Sequence, residues 1–303
     1  MDLNPSQPPF TKGGENMFQH LKNKIPYLIL AALLLVAIFV WLAVWELTPD
    51  DKVRIDFFDV GQGSAIFIAA PNNNQVLIDG GPSDAVLGKL GQAMPMFDRR
   101  IELIVLTHPD ADHLNGLVEV LKRYQVEKIL ETGISDSSAE YQIWHKLIKE
   151  KNVPMVFAQA GQKIAIADNL TLKIIYPLGK IVNEDFANRT NSASIVSKLV
   201  YGRNSFLFTG DTEESTESIL EWDNADLRAD ILQVGHHGSK SSTSEKFLEL
   251  VAPKLAVIQA GLKNKYGHPS QEVLSRLKNI KIFRTDLDGD IVFYCDLAKC
   301  ENR

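Results

Sequence analysis

The sequence is nearly without cysteine: Cys295 and Cys300 are its only two, both close to the C-terminus. Two thiols so placed exclude a disulfide-dense scaffold and a cysteine-built zinc site. They read as two independent thiols, with a late disulfide left open for an oxidising compartment. Basic excess is also lacking: 32 Lys and Arg stand against 38 Asp and Glu, a formal net charge of −6. That balance argues against a protein that grips long nucleic acid over a broad basic surface, while leaving room for a local basic groove. No internal repeat stands out, so nothing points to a solenoid or propeller.

Charge is missing altogether from Ile25 to Trp45. A bilayer core takes about 20 apolar helical residues, so this run is long enough to span one. Lys22 and Lys24 precede it, and Glu46, Asp50 and Asp51 follow. By the positive-inside rule the N-terminus is cytoplasmic and the large remainder extracytoplasmic, a single-pass protein of the cell membrane. A cleaved signal peptide would have a shorter apolar part and a small-residue cleavage site, and Trp45-Glu46-Leu47-Thr48-Pro49 is a poor one. The expected organisation is a disordered cytoplasmic tail at 1–24, a transmembrane anchor at 25–46 and one globular domain at 50–296.

Within that domain the pattern changes to short strands and helices. Val53 to Val60 and Ser64 to Ala69 read as a strand pair about Gly61-Gln62-Gly63, and Gln75 to Ile78 as a strand ending at Asp79-Gly80-Gly81. Ile101 to Leu106 is a buried strand running into a polar loop, after which Leu114 to Tyr124 has helical spacing. Lys281 to Tyr294 reads as a closing hairpin around Asp288-Gly289. Strands and helices mix without a strict βαβ repeat, which fits a layered α/β sandwich with antiparallel strands.

The polar loop after Leu106 carries the strongest signal. His108, Asp110, Asp112 and His113 fall within six residues, between a strand and a helix. Imidazole nitrogens and carboxylate oxygens are the donors that zinc and manganese accept, and alternate loop positions can serve two adjacent ions. A helix cap would explain one of the aspartates and leave both histidines unexplained. The placement recurs twice: Phe206 to Phe208 leads to Gly210-Asp211, and Ile231 to Val234 leads to His236-His237-Gly238-Ser239.

Asp79-Gly80-Gly81, the His108 to His113 cluster, Gly210-Asp211 and His236 to Ser239 occur in the order found in the metallo-β-lactamase superfamily. With Phe57 to Ile68 and Tyr266-Gly267-His268-Pro269, the chain more closely resembles the extracellular hydrolase domain of ComEC-type competence proteins, from about Val53 to Tyr294. The resemblance implies an αββα four-layer sandwich preceded by one transmembrane helix. It also implies a binuclear centre of two divalent ions, zinc ahead of manganese, that activates water. Asp112, His113 and His236 would hold one ion, His108 and Asp110 the other, and Asp211 would bridge. Asp79 would orient a ligand histidine, while His237 and His268, with Asp112, would serve catalysis. The chain departs from the common superfamily pattern at Asp110, where a second histidine is usual, and at Arg189 to Ser194, which lacks a histidine.

The implied activity is that of a membrane-anchored phosphodiesterase or nuclease linked to DNA uptake or processing, with single-stranded DNA or another phosphodiester as substrate. A small-ester hydrolase, acting on phosphocholine or a lactam, and a non-catalytic envelope binding module are the alternatives, because fold does not fix substrate. A DNA substrate calls for basic or aromatic residues around the cleft, for which Arg189, Lys198, Arg203, Lys240, Lys263, Lys265 and Tyr266 are candidates.

Overall fold

The computed structural model describes residues 13–47, 52–181 and 190–303, so the first half of the expected tail, the start of the domain at Asp50, and Arg189 lie outside the described residues. The chain divides into two compact units, Met1–Pro49 and Asp50–Arg303. In the first, helix α1 (Gly13–Leu47) begins well before the apolar run. Its stretch Lys24–Leu42, with a mean hydropathy of 2.7, is long and apolar enough to cross a membrane.

The second unit opens with β1 (Val53–Phe57), β2 (Ile66–Ala69) and β3 (Gln75–Ile78), followed by α2 (Ala85–Ala93). Next come β4 (Arg100–Ile101), β5 (Leu103–Val105), α3 (Ala111–Arg123), β6 (Gln125–Val126), β7 (Ile129–Glu131), α4 (Ala139–Glu150) and β8 (Met155–Phe157). The second half holds β9 (Lys163–Ala167), β10 (Leu170–Tyr176), β11 (Val196–Tyr201), β12 (Asn204–Phe208), α5 (Glu214–Trp222) and β13 (Ile231–Gln233). It closes with α6 (Glu245–Val251), β14 (Leu255–Ile258), α7 (Gln271–Arg276), β15 (Lys281–Arg284), α8 (Thr285–Asp288), β16 (Ile291–Cys295) and β17 (Cys300–Asn302).

Two sheets stack face to face. One has eight strands in the order β17-β16-β1-β2-β3-β5-β7-β8, the other seven in the order β15-β14-β13-β12-β11-β10-β9. The strict alternation of buried and half-buried residues along β10 is the period-2 signature of a strand with one face against the core. Between the sheets, Phe57 and Phe293 of the first meet Phe206 and Phe208 of the second, with ring centroids 6.1 Å apart for Phe57–Phe208 and 5.7 Å for Phe206–Phe293. Outside the first sheet, Val86, Leu117, Leu121 and Trp144 of α2, α3 and α4 bury against Phe67, Leu77 and Ile104. Outside the second, Leu220, Phe247, Val251 and Val273 cover Leu207, Leu232 and Ala256. The result is the four-layer αββα sandwich.

Two details differ from the sequence reading. Lys281 to Tyr294 is not a hairpin: β15 pairs with β14 in the second sheet and β16 with β1 in the first, with α8 crossing between them. The run contains two strands and a turn, but its strands belong to opposite layers. Cys295 and Cys300 are not independent thiols: they are register partners in the β16–β17 pair and are joined by a disulfide.

The segment after β3 approaches α3 without room for side chains. A Cβ on Gly116 would overlap the Gly80 carbonyl oxygen, and the Gly80 and Gly116 amides donate to the His113 and Gly81 carbonyls at 2.8 and 2.9 Å. This contact clamps the start of α3, and with it Asp112 and His113, against the loop that carries Asp79.

Candidate metal centre

The candidate ligands follow the C-terminal ends of strands in parallel runs. Asp79 follows β3 and the His108–His113 loop follows β5, parallel neighbours in the first sheet. Asp211 follows β12 and His236-His237 follow β13, parallel neighbours in the second. Parallel pairing brings these ends to one edge of the sandwich.

Asp112, His113, Asp211 and His237 each offer a donor atom, and these four atoms lie within 4.8 Å of one another. His113 is fully buried; its Nδ1 donates to Asp79 Oδ2 at 2.7 Å, which turns its Nε2 to 3.1 Å from Asp211 Oδ1. Asp79 is held in turn by the Thr107 amide and hydroxyl, both at 2.8 Å. His237 repeats the device from the other sheet. Its Nδ1 donates to the Gln259 carbonyl oxygen at 2.8 Å, leaving Nε2 3.2 Å from Asp112 Oδ2 and 3.4 Å from Asp211 Oδ2. A carbonyl oxygen only accepts, so Nδ1 of His237 carries a proton and Nε2 is the ring atom turned toward the carboxylates.

His108 is also fully buried, with Nδ1 beside the Thr107 and Ser194 hydroxyls at 3.1 and 3.3 Å. Its Nε2 lies 3.7 Å from Asp110 Oδ2 and 4.0 Å from Asp211 Oδ2. Asp110 is more open and accepts from the Thr190 hydroxyl at 2.6 Å. Ser194, at the end of the segment that lacks a histidine, accepts the Asp211 amide at 3.1 Å.

The sequence reading put His236 among the ligands and His237 outside them; the structure brings His237, not His236, into the four-residue group. Both residues have left-handed backbones, φ 47° and 54°. The turn swings the second ring under the sheet edge, where Gln259 receives it, and leaves the first on the rim. His236 Nε2 is 3.7 Å from Asp211 Oδ2 and 3.3 Å from Asn191 Nδ2, while its Nδ1 is 3.4 Å from Glu213 Oε1. His268 stands next to it, ring centroids 5.6 Å apart, and Tyr266 stacks on His268 at 5.8 Å.

The electrostatics suit a cation. Burial would raise the Asp211 carboxyl, but His237 and His113 hold it well below the usual carboxylate range. Burial likewise opposes ionisation of Asp112, yet the contacts with His237 and His113 bring it to about 2. Burial would lower His113, and Asp211 and Asp79 raise it well above the ordinary imidazole value. The fit to a metal ion rests on the unpaired atoms: the Nε2 atoms of His108, His113 and His237 and Oδ1 of Asp211 are buried without a hydrogen-bond partner. Buried polar atoms are almost always satisfied, and inward-facing Nε2 atoms on histidines held from behind by a carboxylate or carbonyl are the arrangement of metal ligands.

Of the basic and aromatic candidates, Lys263, Lys265 and Tyr266 share the loop that ends at His268. Lys198 is buried and pairs with Asp226 at 2.9 Å, and the Arg203 amide donates to the Leu297 carbonyl, far from the site's strand ends. Glu213, Gln259, Thr107 and Ser194 were not among the sequence candidates. Glu213 sits two residues after Asp211 and could have been noticed; the Gln259 contribution is a backbone carbonyl, which leaves no mark in sequence.

Comparison with known proteins agrees with this fold. The profile described as Metallo-beta-lactamase superfamily matches residues 58–261. ComE operon protein 3 of Bacillus subtilis (strain 168) is 31% identical over 79% of this chain, and Competence protein ComA of Neisseria gonorrhoeae is 29% identical over 82%. In both cases the match spans 33% of the relative's own length. Among solved structures, the metallo-beta-lactamase fold protein YhfI from Bacillus subtilis superposes with a TM-score of 0.54 at 12% identity, covering 80% of this chain and 100% of that one. Igni18, a metallo hydrolase from Ignicoccus hospitalis, gives 0.53 at 14% identity, covering 80% and 98%. The chain belongs to the metallo-beta-lactamase superfamily, and its curated relatives there include competence proteins of the ComEC type.

Proposed function

We propose that the domain is a metal-dependent phosphodiesterase, held at a membrane by the apolar segment of α1. The observation that carries this reading is the convergence of Asp112, His113, Asp211 and His237, with both histidines held at Nδ1 and presenting Nε2. These four would hold one divalent ion, zinc ahead of manganese. His108 and Asp110 would hold a second, with Asp211 shared. Divalent ions at such a centre acidify water and offset charge developing on a phosphoryl oxygen.

The chain's own residues set the rest. Asp79 and the Gln259 carbonyl fix ring orientation and tautomer from behind. Ser194, in the segment that lacks a histidine, touches His108 at Nδ1 and not on the side facing Asp110, so the second position would have fewer protein donors and would bind its ion more weakly. His236 and His268 form the rim and would contact the substrate's phosphoryl oxygens or its leaving group. Lys263, Lys265 and Tyr266 extend that rim and favour a nucleic-acid strand over a small ester. Competence relatives and the Cys295–Cys300 disulfide, a bond of oxidising compartments, support an extracytoplasmic domain linked to DNA uptake or processing.

The test is hydrolysis by the purified chain, with zinc or manganese, of bis-p-nitrophenyl phosphate and single-stranded DNA beside p-nitrophenyl acetate, phosphocholine esters and a β-lactam. Metal-dependent turnover of the phosphodiesters, lost in Asp112→Ala and His237→Ala, is expected. Turnover confined to the carboxyl ester, phosphocholine ester or lactam would replace the reading with the small-ester one. Metal binding without turnover of any substrate would favour a binding module.

A further inference from the structure

The large apolar side chains of the second unit are mostly buried, yet Met96 and Phe97 are 73% and 90% exposed. They lie between α2 and β4, in the sequence Met94-Pro95-Met96-Phe97-Asp98-Arg99-Arg100. The Asp98 amide donates to the Pro95 carbonyl at 2.9 Å, so Pro95 to Asp98 form a turn with Met96 and Phe97 at its two corners. Turn corners ordinarily take Gly, Asn, Asp or Pro, and two large apolar residues there have no local reason. Nor is the turn loosely held. Asp98 accepts the buried Gln75 side chain at 2.7 Å and the Arg100 amide at 2.9 Å, which fixes the base and leaves the corners projecting.

The place of this turn in the fold is informative. β1, β3 and β5 run in the same direction, because β1 and β3 are each antiparallel to β2 and β3 is parallel to β5. The metal centre lies at the C-terminal ends of β3 and β5, and the turn precedes β4 and β5, so it sits at the opposite end. That opposite end is where the chain enters the domain. Arg54, the second residue of β1, reaches the Ala93 carbonyl at the end of α2 at 3.4 Å. Leu297, 49% exposed, occupies the β16–β17 turn at the same end, where Cys295 pairs in register with Val53.

Cationic side chains surround the turn. A groove of about 480 Å³ beside it is lined by Arg99, Arg123, Lys151 and Tyr124. Arg99 lies over the Tyr124 ring and bonds the Asp98 carbonyl, and Lys151 bonds the Lys122 carbonyl, so these two do not spend their charge on carboxylates. Arg123 and Lys122 both reach Glu119, and Arg100 reaches Glu102 and Glu127, so the edge is mixed in charge but carries net cations at the groove. An apolar tip set among cations fits one partner, a phospholipid surface with anionic headgroups.

The geometry points to Met96 and Phe97 as a membrane-docking tip. They insert into the bilayer in which α1 is anchored, Arg99, Arg123 and Lys151 meet its headgroups, and the metal centre is held facing away from the lipid. This rests on the anchor reading proposed above.

The experiment uses the full chain in vesicles of phosphatidylcholine and phosphatidylglycerol, with single-cysteine variants Phe97→Cys, Leu262→Cys and Phe39→Cys carrying an environment-sensitive fluorophore. The native cysteines are closed in their disulfide and stay unlabelled without reductant. Acyl-chain spin-labelled lipid is the quencher. Loss of more than half the emission at positions 97 and 39, with position 262 at the metal end unquenched, is the expected result. Quenching at 39 without quenching at 97 overturns docking and keeps the anchor. Quenching at 97 without quenching at 39 keeps docking and overturns the anchor. Quenching at neither overturns both, and equal quenching at 97 and 262 overturns the orientation.

Discussion

His237 Nδ1 lies 2.8 Å from the Gln259 carbonyl oxygen, and this one bond turns the ring's Nε2 toward Asp112 and Asp211. Its neighbour His236, held at the rim by Asn191 and Glu213, has no such bond to a strand end. The two histidines of one motif therefore have different expected roles. His237→Ala should lose the ion bound by Asp112, His113 and Asp211, whereas His236→Ala should retain it and lose turnover. Metal content by plasma emission after gel filtration separates the two; equal metal loss in both variants would return His236 to the ligand set.

Asp79 touches no substrate, but it holds His113 at 2.7 Å and is itself held by Thr107. Asp79→Asn keeps the shape and removes the charge behind the imidazole. A loss of roughly 10–100-fold in metal affinity is expected, as for other partners behind metal-bound histidines. Competition with a chelating dye measures it, and activity should recover at high metal concentration.

Metal uptake should release protons. Burial alone would lower His237, but Asp211 and Asp112 hold it at about 9 in the metal-free protein, and His113 is raised as well. An ion bound at Nε2 of either ring must displace a proton that the neighbouring carboxylates favour there in the metal-free protein. Affinity should therefore rise with pH toward about 9, by about tenfold per pH unit for each proton displaced. Calorimetric titration in two buffers of different ionisation enthalpy counts the protons, and a pH-independent affinity would contradict the assignment.

Much of this centre was legible because its ligands are packed into short motifs. The His108–His113 loop and Asp211 each end an apolar strand, and a strand end is a place sequence can show. Which of two adjacent histidines turns inward could not be read. That choice depends on left-handed backbone at both positions and on the Gln259 carbonyl just past β14, a partner distant in sequence. The same limit applies at Lys281 to Tyr294, where alternation marks two strands but not that they join different sheets. Cys295 and Cys300 carried no motif; only the β16–β17 register makes them neighbours.

The disulfide closes a short loop, with a sequence separation of 5. Chain-entropy reasoning gives such a loop about 2 kcal/mol. Cys295→Ala with Cys300→Ala should lower unfolding free energy by about that amount in urea titration and leave the metal site intact, since both residues lie at the far end of the sandwich.

The most direct test of the account is where an ion sits. Crystals of the chain soaked with zinc, measured at the zinc absorption edge, should show an anomalous peak among Asp112, His113 Nε2, Asp211 and His237 Nε2. A weaker peak beside His108 and Asp110 is expected at higher zinc. A strong peak coordinated by His236 in place of His237, or none within this cluster, would contradict it.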